Sequence, residues 1–241
     1  MTRLSSQDTP ILIFNKDAQM KWFLLFLITS TQVHAWSYLY PDLITSQAYL
    51  FDNRIDTSTI PGKKLLRFAN STPNIGRGKL ELRGGNIRED NNIEVYQRIY
   101  ATNGLHTSRL AGIFEYHPEH EHTHFNDYAK YRLRQIVGLS GLGQVIAESE
   151  KISFCIRDSS IYNFRLSHFR PWAKYKTCGT GVQGISVGWM DVYGKELPGQ
   201  WIDVTSLPTG RYWLESIVDP DNRIKESNEA NNTARIQVFI P

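Results

Sequence analysis

Cysteine is scarce in this chain: among 241 residues there are only Cys155 and Cys178. One pairing is all they allow, so no framework of several bridges can hold the fold. Excess charge is lacking too, with 27 Lys and Arg against 24 Asp and Glu and the basic residues dispersed. That removes the electrostatic footprint expected of a nucleic-acid binder, and the class is set aside. Long apolar runs are missing as well, since Trp22–Ile28 has seven residues, too few to span a bilayer. No internal repeat, low-complexity tract, clear linker or apolar stripe of helical period is present.

What is present is an ordinary globular composition, 41% hydrophobic and 12% aromatic, enough for a sizeable core. "MKWFLLFLITSTQVHAW" has a lysine, a short apolar run and a small-residue end before Trp36, the pattern of a secretory leader over residues 20–35. Residues 1–19 then read as an extension or as a start assigned too early, with Met20 the true start, and 36–241 as one domain. Export to a secreted or periplasmic location follows, with no stable membrane span once the leader is cut. In such a compartment the two cysteines are expected to pair, stabilising the fold by about 3 kcal/mol on the chain-entropy account.

Runs such as "KLLRFAN", "KLELRG", "HTHFNDYAKYRL", "KISFCI", "QWIDVTS", "RYWLESIVD" and "ARIQVFIP" are rich in strand formers and separated by Gly, Pro, Asn and Asp. The expectation is a mainly β, sandwich-like single domain with long functional loops.

Four of the seven histidines fall within eight positions, in "HPEHEHTH". His120, His122 and His124 alternate with Glu121 and Thr123, and alternation on a strand puts residues i, i+2 and i+4 on one face. Three imidazoles on one face can converge on a metal and leave coordination positions open, as a catalytic site requires. Imidazole serves zinc and copper alike, so spacing does not choose between them. His117 is out of register behind Pro118 and reads as a supporting or packing residue. Further on, "VDPDNRIKESNEANN" is either an Asp/Asn-rich turn or a cluster of the oxygen ligands that calcium prefers.

Four words occur in order beside the histidines: "EKISFC" at 150–155, "GISVGWMDVYG" at 184–194, "GQWIDVT" at 199–205 and "ESNEANN" at 226–232. Together with "LYPDL" and "LLRF" they resemble the lysyl oxidase family over roughly residues 39–240. The resemblance implies copper held by His120, His122 and His124, and a lysine tyrosylquinone made from Lys151 and Tyr193. A phenol near copper and dioxygen can be oxidised to an electrophilic quinone, and a deprotonated lysine amine is the nucleophile that adds to its ring. The implied activity is oxidation of a primary amine, free or in a lysine-containing protein, to an aldehyde with release of ammonia and hydrogen peroxide. A base must take the substrate's α-carbon proton; Asp191, two residues before Tyr193, and Asp203 in "QWID" are the candidates.

The resemblance also implies calcium at Asp42, the Leu43 carbonyl, Glu226, Asn228, Asn231 and Asn232, with Asn228 standing where the family has an acid. The stretch "SSIYNFRLSHFRPWAKYKT" has no counterpart in it and lengthens the connection between Lys151 and Tyr193. The competing function class is an exported copper-binding β module that never matures the quinone. Such a module has no need of both Lys151 and Tyr193.

Overall fold

The computed structural model describes residues 36–117, 121–150 and 153–241. The extension 1–19, the leader 20–35, His120 and Lys151 lie outside the described residues. In chain order the strands are β1 (Tyr38–Leu39), β2 (Asn53–Asp56), β3 (Leu65–Phe68), β4 (Asn70–Pro73), β5 (Leu80–Ile87), β6 (Ile93–Ala101), β7 (His106–His117) and β8 (His122–Phe125). They continue as β9 (Ala129–Val137), β10 (Gly141–Glu148), β11 (Ser160–Ile161), β12 (Val182–Ile185), β13 (Trp189–Tyr193), β14 (Trp201–Asp203), β15 (Gly210–Val218) and β16 (Thr233–Ile240). Among the described residues the helical element is α1 (Gln47–Leu50).

Six strands form one sheet, β12-β5-β6-β7-β8 with β1 on β6, and four form another, β10-β9-β15-β16. Two three-stranded sheets, β11-β13-β4 and β14-β3-β2, complete the domain. The mainly β expectation holds. Period-two burial explains why these segments are strands: β6 buries Val95, Gln97, Ile99 and Ala101, and β9 buries Ala129, Tyr131 and Leu133. Their inner faces, with Leu82, Phe68 and Leu214, share one core. Each such apolar side chain contributes about 1.5–3 kcal/mol when fully buried.

An aromatic chain runs through that core toward β13. Phe114 meets Phe125 at 6.1 Å, Phe125 meets Tyr128 at 6.4 Å, Tyr128 meets Phe154 at 6.1 Å and Phe154 meets Tyr193 at 4.6 Å, each edge to face. Tyr193 is thus fixed by the core itself.

Two strand readings change. "HTHFNDYAKYRL" is not one strand but two, β8 and β9, in different sheets, because Asn126–Asp127 turns the chain with Asp127 at φ 56. Asp tolerates that left-handed conformation better than most residues. "KISFCI" contributes, over its described part Ser153–Ile156, only an isolated bridge from Phe154 to Phe125. Its backbone is still satisfied, since Ile156 N–H donates to the Gln183 side chain at 2.9 Å and Gly184 N–H to Ile156 O at 2.9 Å.

The loop between Cys155 and Cys178 is tied to β5 through Glu81, which is fully buried. Its carboxylate accepts from Lys174 at 2.5 Å, Tyr100 at 2.7 Å, and Tyr175 and Arg83 at 2.8 Å each. Burial pushes this carboxyl up, but the four donors outweigh it and hold it well below the usual carboxylate range. The stabilisation is therefore complete above the unfolded-state value of about 4.3 and is lost as pH falls below it. Glu81→Gln is expected to cost about 2 kcal/mol at pH 7, less than a fully buried pair because the cations are partly exposed, and to flatten the acid dependence of unfolding. Urea melts of both proteins at pH 7 and pH 3.5 check this: the gap should narrow at the lower pH.

Candidate active site

β8 is held on both flanks. β7 pairs with it so that His117 lies opposite His122, and on the other flank Phe125 and Phe154 exchange backbone bonds of 2.8 and 3.1 Å. Cys178 O accepts from Thr123 N–H at 2.9 Å, so the histidine strand is also fastened to the far end of the loop. On this frame His122 and His124 share a face, with their Nε2 atoms 2.9 Å apart. Upstream, Glu121 has φ 52, which ends the extended run before His122. His124 is buried, its Nδ1 lies 3.4 Å from Ser153 Oγ, and its ring stacks at 4.3 Å on that of His117. His117 is therefore packed against the pair, and its buried Nε2 has no hydrogen-bond partner among the described residues. The donor set suits a divalent ion: imidazole nitrogens each about 2.0 Å from one metal and about 90° apart would be separated by about 2.9 Å.

The pair opens into a cavity of about 340 Å³, with Asp191, Tyr193, Arg157 and the disulfide in its wall. That volume is within the range of small-molecule sites. The expected Cys155–Cys178 bond is formed, with the two α-carbons 5.3 Å apart. On β13, Asp191 and Tyr193 face the same way, and the Tyr193 hydroxyl lies 2.7 Å from Asp191 Oδ2 and also within reach of Cys155 O. One proton serves two acceptors. Burial, then the adjacent Asp191 charge, pushes the phenol well above its ordinary value, so it stays protonated.

Asp191 is buried, and that burial pushes it up to about 6 against hydrogen bonds from Ser159 Oγ at 2.6 Å, Tyr193, and the Arg157 and Val192 amides. Asp203 is different. It is exposed on β14 and held down to about 2, first by Lys63 at 2.7 Å and then by Thr205. It is not in the cavity wall, and the structure separates the two carboxylates that the sequence left level.

The oxygen-rich segments also meet. Asn231 Nδ2 donates to Asp42 Oδ1 at 2.8 Å, Asn232 Nδ2 donates to Glu226 Oε1 at 2.9 Å, and the Leu43 amide donates to Glu226 Oε2. Asn228 is exposed and its Oδ1 accepts from Ala230 N–H. Asp219 and Glu229, not singled out in the sequence, place carboxylate oxygens within 4.8 Å of Glu226. Burial pushes Glu226 up to about 8 and Asp219 up to about 6, with neighbouring acids adding to both. Three oxygens here, Asn231 Oδ1, Asn232 Oδ1 and Glu229 Oε2, are buried without a hydrogen-bond partner among the described residues. Ser153, Arg157 and Ser159 were missed at the main cavity. Ser153 and Arg157 lie in or beside a recognised word, whereas nothing local marks Ser159.

Fold and cavity define a disulfide-closed, mainly β domain in which paired imidazoles face a buried Tyr–Asp couple. A sequence model of the lysyl oxidase family matches residues 100–240, more than half of the chain, which belongs to that family. Lysyl oxidase homolog 3B of Danio rerio is 29% identical over 174 residues, covering 72% of this chain and 17% of the relative. Protein-lysine 6-oxidase of Homo sapiens is 32% identical over 132 residues, covering 54% of this chain and 29% of that protein. The matched region thus spans under a third of either relative.

His122→Ala is expected to abolish stoichiometric copper(II) retention after dialysis, since β8 then keeps only His124 among its described imidazoles, with His117 stacked on that ring from the neighbouring strand. Metal analysis at wild-type stoichiometry in the variant would place the ion elsewhere.

Proposed function

We propose that this protein is a copper-dependent amine oxidase that uses a quinone made from its own Lys151 and Tyr193. Its substrate is a primary amine, free or on a lysine-containing protein, and its products are an aldehyde, ammonia and hydrogen peroxide. The observation that carries the reading is the convergence of His122, His124, Asp191 and Tyr193 on one cavity. Family membership supports it, and so does the printed name of the human relative, a protein-lysine 6-oxidase. The disulfide supports export, and among the described residues no helix is long and apolar enough to cross a membrane.

Copper held by His120, His122 and His124 would supply, with dioxygen, the oxidation of the Tyr193 phenol, and the resulting Lys151–Tyr193 quinone would accept the two electrons of the amine. The chain's own groups govern the protons. Tyr193 Oη cannot ionise readily in its buried setting, and Asp191 Oδ2, at 2.7 Å, is placed to take its proton. During turnover the same carboxylate is the base for the substrate's α-carbon proton. At about 6 it is ionised at neutral pH yet closer to the working pH than an ordinary Asp, whereas Asp203 at about 2 is the weaker base. The cavity wall of Val192, Leu197 and Pro198 gives an alkyl chain an apolar path.

Calcium at Asp42, Leu43, Glu226, Asn228, Asn231 and Asn232 is the second part of the proposal. The unpartnered Asn231 and Asn232 oxygens and the raised acids support a hard cation there, with Asp219 and Glu229 as additional donors. Calcium added to chelator-treated protein is expected to raise Tm, because a ligand of the folded state alone stabilises it; an unchanged melt would favour a simple turn.

Maturation tests the enzyme reading. Copper-loaded, aerated protein should absorb visible light, react with a hydrazine, yield a crosslinked Lys151–Tyr193 peptide and release peroxide with an amine panel. Lys151→Ala and Tyr193→Phe should retain copper and lose both the crosslinked peptide and peroxide release with amines. Separate, unmodified Lys151 and Tyr193 peptides from the wild type would leave the copper-binding module as the answer.

A further inference from the structure

The loop between the cysteines builds a second cleft on its outer side. This cleft, of about 230 Å³, lies where His168 and Arg170 of the loop approach Arg77, Lys79 and Tyr100. Lys79 Nζ stands 3.9 Å from the centroid of the Tyr100 ring and 3.1 Å from Glu81. Glu81 already serves Arg83 and Lys174, and Asp158 behind it accepts from the Lys174, Tyr175 and Ser186 amides. Both carboxylates are buried and engaged from within. Arg77 and Arg170 are exposed and form no ion pair with any described residue. The cleft therefore carries cations that the fold does not neutralise, and the loop holds them in place. His168 is set at φ 71, and Arg170 is fixed through its carbonyl, which accepts from the Trp189 indole at 2.8 Å.

The geometry points to this cleft as a docking site for an acidic polypeptide segment, its carboxylates meeting Arg77 and Arg170 and its apolar side chains resting on Leu39, Val187 and Tyr100. Guanidinium groups bind carboxylates through paired, charge-assisted hydrogen bonds. The apolar wall favours a polypeptide over a sulfated polysaccharide. So do Phe164 and Trp172 of the same loop, 65% and 80% exposed, which offer the aromatic contacts that protein partners use. One end of the loop is Arg157 in the wall of the main cavity, so the segment that docks the acidic stretch also borders the proposed amine site. The site rests on the proposed function only in taking the docked polypeptide to be the one whose lysine is oxidised; docking itself needs no turnover.

The test is fluorescence anisotropy of a labelled hexaglutamate peptide with the full chain, at low and at physiological salt. Arg77→Ala/Arg170→Ala is expected to weaken binding about tenfold. Arg77→Lys/Arg170→Lys, which keeps the charge and loses the paired hydrogen bonds, should fall between that variant and the wild type, and Arg88→Ala/Arg211→Ala, which removes equal charge elsewhere, should change it less than twofold. Unchanged binding in Arg77→Ala/Arg170→Ala overturns the site, and an equal loss in the Arg88/Arg211 variant reduces it to net charge. A heparin-derived hexasaccharide that binds more tightly than the peptide and depends on the same arginines overturns the polypeptide assignment. None of these outcomes bears on copper, the crosslink or peroxide release.

Discussion

A carboxylate taken out of water has to be surrounded by donors, and at Asp191 this requirement shapes everything around the cavity. Its four hydrogen bonds come from its own strand and from the first residues of the loop beyond Cys155. Meeting them brings that loop against β13, sets the Tyr193 hydroxyl and offsets part of the upward push of burial, leaving the carboxyl at about 6. The metal-type face on β8 reaches the same place by a different route, through the Phe125–Phe154 exchange and the Thr123–Cys178 bond. Without the loop neither half would face the other.

The loop is held by charge and by covalency together. The disulfide joins its ends, Asp158 and Glu81 hold its returning limb, and the Trp189 indole fixes Arg170. Asp158 of the loop and Glu81 of β5 are both buried and spend their hydrogen-bonding capacity inward. Arg77 and Arg170 are consequently left with their charge on the outside. One segment thus completes the cavity wall and gives the surface beside it a definite sign.

Much of this was legible in the sequence, for reasons that can be named. Alternation marks β9 and β16 because each has one face in the core, and the histidine spacing survives at His122 and His124 because β8 is extended there. The cysteine pair was legible because only one partner existed. The break at Asn126–Asp127 was harder to see, since a turn of two residues between strand formers leaves the periodicity nearly intact. The contrast between Asp191 and Asp203 was invisible: both sit beside aromatic residues in strand words, and only tertiary packing buries one and pairs the other with Lys63. Asp219 and Glu229 were hidden for the same reason, because their proximity to Glu226 depends on how the segment folds back on itself.

In a free tyrosine the two ring carbons flanking the phenolic oxygen are equivalent and exchange by rotation about the ring axis. Tyr193 has lost that equivalence. Its oxygen is pinned between Asp191 and the Cys155 carbonyl, and the Phe154 ring packs against it at 4.6 Å, inclined by 70°. One edge of the ring therefore meets surroundings that the other does not, and packing rather than covalent structure tells the two carbons apart.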